Sequence, residues 1–319
     1  MKKVRNYLKD NKTAVTALTL LGFILLCSIV FSAYTDTFLT RRNFTNIMRQ
    51  TAETGMIVIT VSLILLSRDI DISMGSVLGF TNIILGMMMI KGFPIIPACI
   101  LAMLLGALLG TVNGYLVAKL KLPGMVATTG TMVLFRGLCF GVTKGYPVSG
   151  LPDEFLKLAQ IRLFGVVPIS YAVLIVLVVI FHVMMEFTNV GLRIRSLGSN
   201  YRTATFSGIK TDNIKWILFI ANGVMISFAG IFFLARMASA EANTGKSFDI
   251  DILASCLLGG MSLHGEGKGN ILTVFLGLMG IAVMRNGFNQ MAVPAIYQNM
   301  VLGILIAVNA AQWIREKRQ

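Results

Sequence analysis

Residues 67–80 read SRDIDISMGSVLGF, and residues 247–260 read SFDIDILASCLLGG. Further along, VNGYLVAKLKLP (112–123) is echoed by RNGFNQMAVP (285–294), so two pairs of segments recur in the same order. All four segments border or enter apolar stretches, which makes the duplicated unit a membrane unit. If the chain starts in the cytoplasm, the first member of each pair falls on the cytoplasmic side and the second on the outer side. An inverted-topology repeat requires that reversal, with spans two to five mapping onto spans seven to ten.

Working outward, ten apolar stretches can be marked, at 14–34, 51–67, 72–90, 93–118, 125–143, 166–185, 214–234, 252–263, 271–291 and 295–314. A span takes roughly 20 apolar residues to cross about 30 Å of hydrocarbon. Each must be helical, because lipid offers an open backbone no partners. The eighth stretch is short and crosses only if the Asp-Ile-Asp segment before it dips into the protein. Hydrophobic residues make up 55% of the 319, charged residues only 13%, and mean hydropathy is +0.78. A soluble domain carries about 25% charge. No length remains for a separate soluble domain, so residues 1–319 read as one all-α polytopic membrane domain. The basic N-terminus MKKVRNYLKDNK precedes an apolar run longer than the roughly 7–15 residues of a signal-peptide core, so that run reads as a retained first span.

The formal charge of +14 is spread over short loops, not gathered on one face, which points to membrane topology and away from nucleic acid. Lys and Arg concentrate in the loops on the N-terminal side, among them Lys119, Lys121, Arg193, Arg195 and Arg202. Both termini are therefore expected in the cytoplasm, with the chain multi-pass in the cytoplasmic membrane. Cys27, Cys99, Cys139 and Cys256 stand alone in apolar stretches, and His182 and His264 are isolated. No metal site or disulfide framework is expected from them.

Residues 240–247, AEANTGKS, fit a relaxed phosphate-binding loop pattern. Such a loop needs a strand before it and a helix N-terminus after it. Here a membrane span precedes it and the loop falls outside the cell, so nucleotide binding is not expected. GEGKGN at 265–270 reads as a flexible turn. No catalytic constellation emerges. Asp69 and Asp71 on one side, and Asp249 and Asp251 on the other, are placed on opposite membrane faces by the repeat and cannot share a proton. They read as helix-capping residues beside the positive helix ends. Gly106, Gly110 and Gly114, and likewise Gly75 and Gly79, lie four apart and read as close-packing positions.

Polar residues inside spans face protein or water. Asn82, Asn113, Thr128, Thr129, Thr131, Arg136, Asn222, Asn286 and Asn289 are therefore candidates for a pathway, with helix–helix adhesion as the other reading of each. Amides and hydroxyls dominate, and intramembrane carboxylates look scarce. Such a lining suits a neutral, hydrogen-bonding cargo. The cytoplasmic stretch at about 190–212 contains GLRIRSLGSNYRTATFSGI: small residues, then a short hydroxyl-rich segment that Ser199 or Asn200 could start as a helix. It reads as a docking surface.

SRDIDISMGS, LPGMVATTGTMVLFRG (122–137), GLRIRSLGSNYRTATFSGIK and ASCLLGGMSLHGEGKG, in that order, resemble the signature segments of carbohydrate ABC importer permeases. These form the ribose, xylose, rhamnose and autoinducer-2 branch of the branched-chain permease superfamily, and the resemblance runs from about residue 40 to 311. In motif detail Ser67-Arg68 and GLPDEF (150–155) look closest to the autoinducer-2 and rhamnose types, whereas ribose types usually have Gly-Gly at 67–68. Glu266 departs from a usual glycine.

The resemblance implies about ten helices in an inverted repeat of the type II importer kind. It implies a second permease subunit, cytoplasmic ATPase subunits that carry ATP and Mg, and an extracytoplasmic solute-binding protein. The chain itself would hold no cofactor and perform no catalysis. Gly191, Arg193, Arg195, Gly198, Asn200, Thr205 and Gly208 would couple to the ATPase. The cargo would be a small polyhydroxylated solute such as a monosaccharide or autoinducer-2. The rivals are a branched-chain amino acid or nucleoside permease and an ion-coupled secondary carrier.

Overall fold

The computed structural model describes residues 12–246, 248–262 and 267–318, with side chains described within 13–308. His264 and Glu266 lie outside the described residues, as does the end of the eighth predicted span. The described chain is helical almost throughout. Its helices are α1 (Lys12–Tyr34), α2 (Arg41–Leu66), α3 (Met74–Ile90), α4 (Ile95–Gly114), α5 (Gly124–Thr143), the short α6 (Asp153–Leu156), α7 (Ile169–Phe187), α8 (Asn189–Ser199), α9 (Tyr201–Phe206), α10 (Thr211–Met237), α11 (Phe248–Leu258), α12 (Ile271–Gln290) and α13 (Ala295–Arg318). The two-residue strands β1 (Val148–Ser149) and β4 (Ser239–Ala240) pair antiparallel, as do β2 (Arg162–Leu163) and β3 (Val167–Pro168).

Each of the ten expected spans corresponds to a helix. Seven of them, α1, α2, α4, α5, α7, α10 and α12, are long and apolar enough to cross a membrane unaided. The second span differs most from its expected bounds. α2 starts at Arg41, well before the apolar run, because Thr40 accepts a hydrogen bond from the Asn43 amide and caps it. Asn43, Thr45 and Ile47 then face the interior, so polar residues extend a helix whose apolar part alone was legible. α2 is buried on nearly every side, whereas α1 shows Leu18, Leu25, Leu26 and Ile29 on an outward face suited to lipid.

The duplication is written into the turns. α2 and α10, which open the two copies, each end on a left-handed residue, Arg68 (φ 68°) and Ala238 (φ 58°). After α3 and α11 the left-handed residues are Gly92 and Gly260, both at φ 83°. After α4 and α12 they are Lys121 (φ 57°) and Ala292 (φ 54°), each two positions before the proline that precedes α5 or α13. The first copy is longer between its asparagine and its proline, and a π turn, Tyr115–Lys119, falls in that stretch. Packing swaps in the same way: α10 lies on α4 and α3, while α2 lies on α12 and α11, and α2 and α10 pack on each other.

The middle of the fold is where the two copies meet. After Leu66 the chain turns at Ser67 and Arg68, and residues 69–72 pass through the bundle without regular structure, with Asp69 and Asp71 buried, before Ser73 turns into α3. From the other side, residues 241–246 dip inward before α11. This segment touches the first turn of α3, and a Cβ added at Gly245 would lie 2.6 Å from the Gly75 carbonyl oxygen. α11 is thus a partial span, preceded by an irregular segment in which Ala242 and Gly245 are buried and Glu241, Asn243 and Lys246 are exposed. The α4–α10 crossing is similarly tight. A side chain at Gly106 would strike Ser227 and the Gly223 carbonyl, and one at Gly110 the Phe219 carbonyl. Small residues let these backbones approach where no hydrophobic drive exists.

Candidate translocation core and cytoplasmic docking site

Four elements meet at Asp71. Its Oδ1 accepts hydrogen bonds from the Ser73 amide at 2.8 Å and the Ser73 hydroxyl at 2.7 Å. Its Oδ2 accepts one from the Asn222 amide group at 2.9 Å. Thr60 of α2 donates to Asn222 Oδ1 at 2.7 Å, and Asn113 of α4 donates to the Ser73 hydroxyl at 2.7 Å. All five side chains are buried. Asp71 therefore does more than serve a helix terminus: it draws α2, α4, α10 and the inward segment into one polar knot.

The expected pathway residues separate into two groups. Asn222, Thr128, Thr131, Asn82 and Asn286 are buried within the chain. Thr128 clasps the inward segment to α5, accepting from the Ile72 amide at 3.1 Å and lying 3.3 Å from the Ile70 carbonyl. Thr131 donates to the Thr128 carbonyl. Asn286 exchanges two hydrogen bonds with Asn43, at 2.8 and 2.9 Å, which ties α12 to α2. Asn82 faces Gly230, with its amide oxygen where a Gly230 side chain would have to go. Thr129 and Asn289 are exposed, and Asn289 accepts a hydrogen bond from Gln298. Half-buried Arg136 donates to the carbonyls of Ala242 at 2.6 Å and Thr244 at 2.7 Å. In the described part of the phosphate-loop-like string, the Ala242 and Thr244 carbonyls turn onto an arginine, where a phosphate cradle would present amides.

Buried carboxylates are less scarce than the sequence suggested. Glu53, inside α2, is bound through both oxygens by Arg236 of α10, each contact at 2.7 Å. Asp251 of α11 pairs with Arg285 of α12, whose guanidinium also reaches Asn299. Asp249 lies in the first turn of α11. In this second copy the Asp-Ile-Asp segment meets the Arg-Asn-Gly segment, as Asp71 and Asn113 meet through Ser73 in the first. A carboxylate inside an apolar run is itself a signal that a donor lies opposite.

Between α7 and α10, α8 is an anchor and α9 a projection. A Cβ at Gly191 would strike the Met185 carbonyl, and one at Gly198 the Leu66 carbonyl, so α8 lies directly on the ends of α7 and α2. Arg195 turns inward too, pairing with Glu186 and donating to the Gly269 carbonyl at 2.9 Å. Arg193 is exposed. Asn200 caps α9, accepting from the Thr203 amide at 3.1 Å. Thr205 donates to the Tyr201 carbonyl, and Gly208, at φ 80°, ends the helix in the left-handed conformation glycine tolerates. Phe206 stands 90% exposed at the tip, and Leu192 and Phe187 are also bare. The sequence reading missed Phe206 because one aromatic in a polar loop carries no periodicity.

At its base α9 is held by charge. The Tyr201 hydroxyl donates to Asp212 at 2.8 Å and accepts from Lys121 at 3.1 Å, and Lys121 also pairs with Asp212. Burial works against the Lys121 charge, but its hydrogen bonds to Asp212 and Tyr201 outweigh that and hold the ammonium above its ordinary range.

Residues 43–309 match the family described as branched-chain amino acid transport system / permease component. The chain belongs to this permease family. The permease is 34% identical over 254 residues to the autoinducer 2 import system permease protein LsrC of Photorhabdus luminescens, covering 79% of this chain and 76% of the relative. It is 33% identical over 289 residues to the ribose import permease protein RbsC of Bacillus subtilis (strain 168), covering 90% and 89%. It is 30% identical over 300 residues to LsrC of Yersinia pseudotuberculosis serotype O:3, covering 94% and 84%. No solved structure matches the permease. The expected class, an all-α polytopic ABC importer permease, is therefore established, and the molecule is a multi-pass membrane protein.

Proposed function

We propose that the permease forms one half of the membrane conduit of an ATP-driven importer for a small polyhydroxylated solute, a monosaccharide or autoinducer-2. A second permease subunit completes the conduit. An extracytoplasmic binding protein delivers the cargo, and cytoplasmic ATPase subunits that hold ATP and Mg supply the work. The chain needs no cofactor and catalyses no reaction of its own. Both termini lie in the cytoplasm of the cell, beneath its inner membrane.

The observation that carries this reading is the α8–α9 pair: one helix fastened to the ends of α7 and α2 by glycine contacts, the next projecting an exposed phenylalanine. An anchored helix followed by a bare tip is shaped to receive another protein, and self-contained carriers have no need of one. The neutral cargo is supported by the exposure of Thr129 on α5, beside Gly130 and Gly137, which have no atom of the chain within 4 Å of an added side chain. A second copy laid against that face would enclose the Thr129 hydroxyl among apolar side chains such as Val126 and Val133, not charge. The likeness to autoinducer-2 and ribose permeases supports the same cargo class.

Reconstitution in vesicles tests the reading. With binding protein and ATPase present, labelled ribose or autoinducer-2 should enter only with ATP. Uptake by the permease alone, driven by a proton or sodium gradient, would select a secondary carrier. ATP-driven uptake of leucine or adenosine instead would move the cargo to the rival class.

A further inference from the structure

One ion pair lies between the projecting helix and the centre of the fold. Lys215, in the second turn of α10, meets Asp69 Oδ2 at 2.7 Å, and both side chains are largely buried, at 15% and 9% exposure. The same ammonium lies 5.4 Å from the centre of the Tyr201 ring, at the first residue of α9. Lys121 lies on that ring as well, at 5.6 Å. The first residue of α9 thus contacts two lysines, and one of them reaches the inward segment.

Asp69 opens the part of the chain that touches everything else. A side chain at Gly124, the first residue of α5, would stand 3.0 Å from the Ile70 carbonyl and 3.2 Å from Asp69 Oδ1. Thr128 fastens Ile70 and Ile72 to the next turn of α5, and Asp71 fastens the segment to Asn222. A displacement of Asp69 therefore reaches α5 and α10 through direct contacts, without passing through the apolar core.

We propose that Asp69 and Lys215 are positioning residues that pass movement of α9 to residues 69–72 and α5, so that work done at the docking tip reorients the helix carrying Thr129. The inference rests on the reading that α9 receives the ATPase. Burial makes the pair fit for the task. An exposed pair is screened and loosely held, whereas a buried one holds its geometry because separation strands a charge. Lys121–Asp212, at the rim, steadies Tyr201 but does not reach the interior. Tyr201 is the joint, since its ring touches Lys215 while its hydroxyl is held from the other side.

The complete transporter, reconstituted with its ATPase and binding protein, provides the test. Lys215→Met and Asp69→Asn should each keep wild-type recovery of the ATPase on purification. Uptake per ATP hydrolysed should fall about tenfold, the size of an ordinary coupling between sites. The double swap Asp69→Lys with Lys215→Asp should recover most of it. Tyr201→Phe, which keeps the ring, should stay near wild type, and Tyr201→Ala, which removes it, should behave like Lys215→Met. Unchanged uptake per ATP in Lys215→Met or Tyr201→Ala overturns the proposal, as does loss of ATPase recovery in step with uptake, which would make the pair part of docking. A wild-type permease that recovers no ATPase at all refutes instead the reading of α9 as the docking site, so the two failures are distinct.

Discussion

Ala238 ends α10 at φ 58°, a conformation that costs an L-residue about 1–2 kcal/mol and glycine almost nothing. Its side chain is exposed, so no packing is lost on removing it. Ala238→Gly should therefore stabilise the permease by about 1 kcal/mol, seen as a higher thermal midpoint in detergent. Arg236 gives the opposite case. Its removal strands Glu53, buried at 3% exposure in the middle of α2, and Arg236→Ala should cost about 3–5 kcal/mol. Adding Glu53→Leu should restore most of that loss. A double variant no better than the single would show that the pair contributes packing alone. Glu53 is passed over in the sequence analysis, because its partner stands 183 residues away and periodicity cannot name it.

At the scale of elements, glycine contacts decide which helices belong together. A Gly110→Leu substitution must push α4 off α10, where the Phe219 carbonyl leaves no room, and should cost about 1–3 kcal/mol or more. Fluorescence-detected gel filtration should show a less monodisperse protein. Gly114→Leu should act more mildly, because its nearest neighbour is the Trp216 ring at 2.6 Å, a side chain that can swing away. Gly198 also belongs here. The sequence placed it in a docking surface, but it faces Leu66 and Gly267 within the chain. Gly198→Leu should lift α8 and lower the thermal midpoint of the permease even without ATPase. Phe206→Ser, by contrast, should leave the midpoint unchanged and weaken ATPase recovery on purification.

At the scale of the whole molecule, the reversed copies make a prediction about sides. In a cysteine-free background, Tyr146→Cys should react with a membrane-impermeant thiol reagent on intact cells, and Phe206→Cys only after lysis. Both positions are well exposed, at 75% and 90%, so failure to react reports sidedness and not burial. Labelling of both from one side would break the inverted arrangement. The arrangement also accounts for the meeting of Gly75 and Gly245. Two copies that enter from opposite faces can touch only near the middle, and their contact needs residues without side chains.

The amino-acid sequence by itself determined the class of molecule, the ten apolar stretches and the doubled Asp-Ile-Asp and Asn-Gly segments, because each depends on composition or on spacing along the chain. The pairing of those segments had to await the tertiary structure. Asn222, Asn286 and Thr128 are the same residue types whether they line a path or bind neighbouring helices, and only the tertiary structure shows each buried and hydrogen-bonded to another element. Likewise Lys215 is one more lysine at a span end until Asp69 and Tyr201 are brought beside it. Hydrophobic pattern reports what a residue avoids; which polar group satisfies another is settled by three-dimensional proximity, which spacing along a chain does not encode.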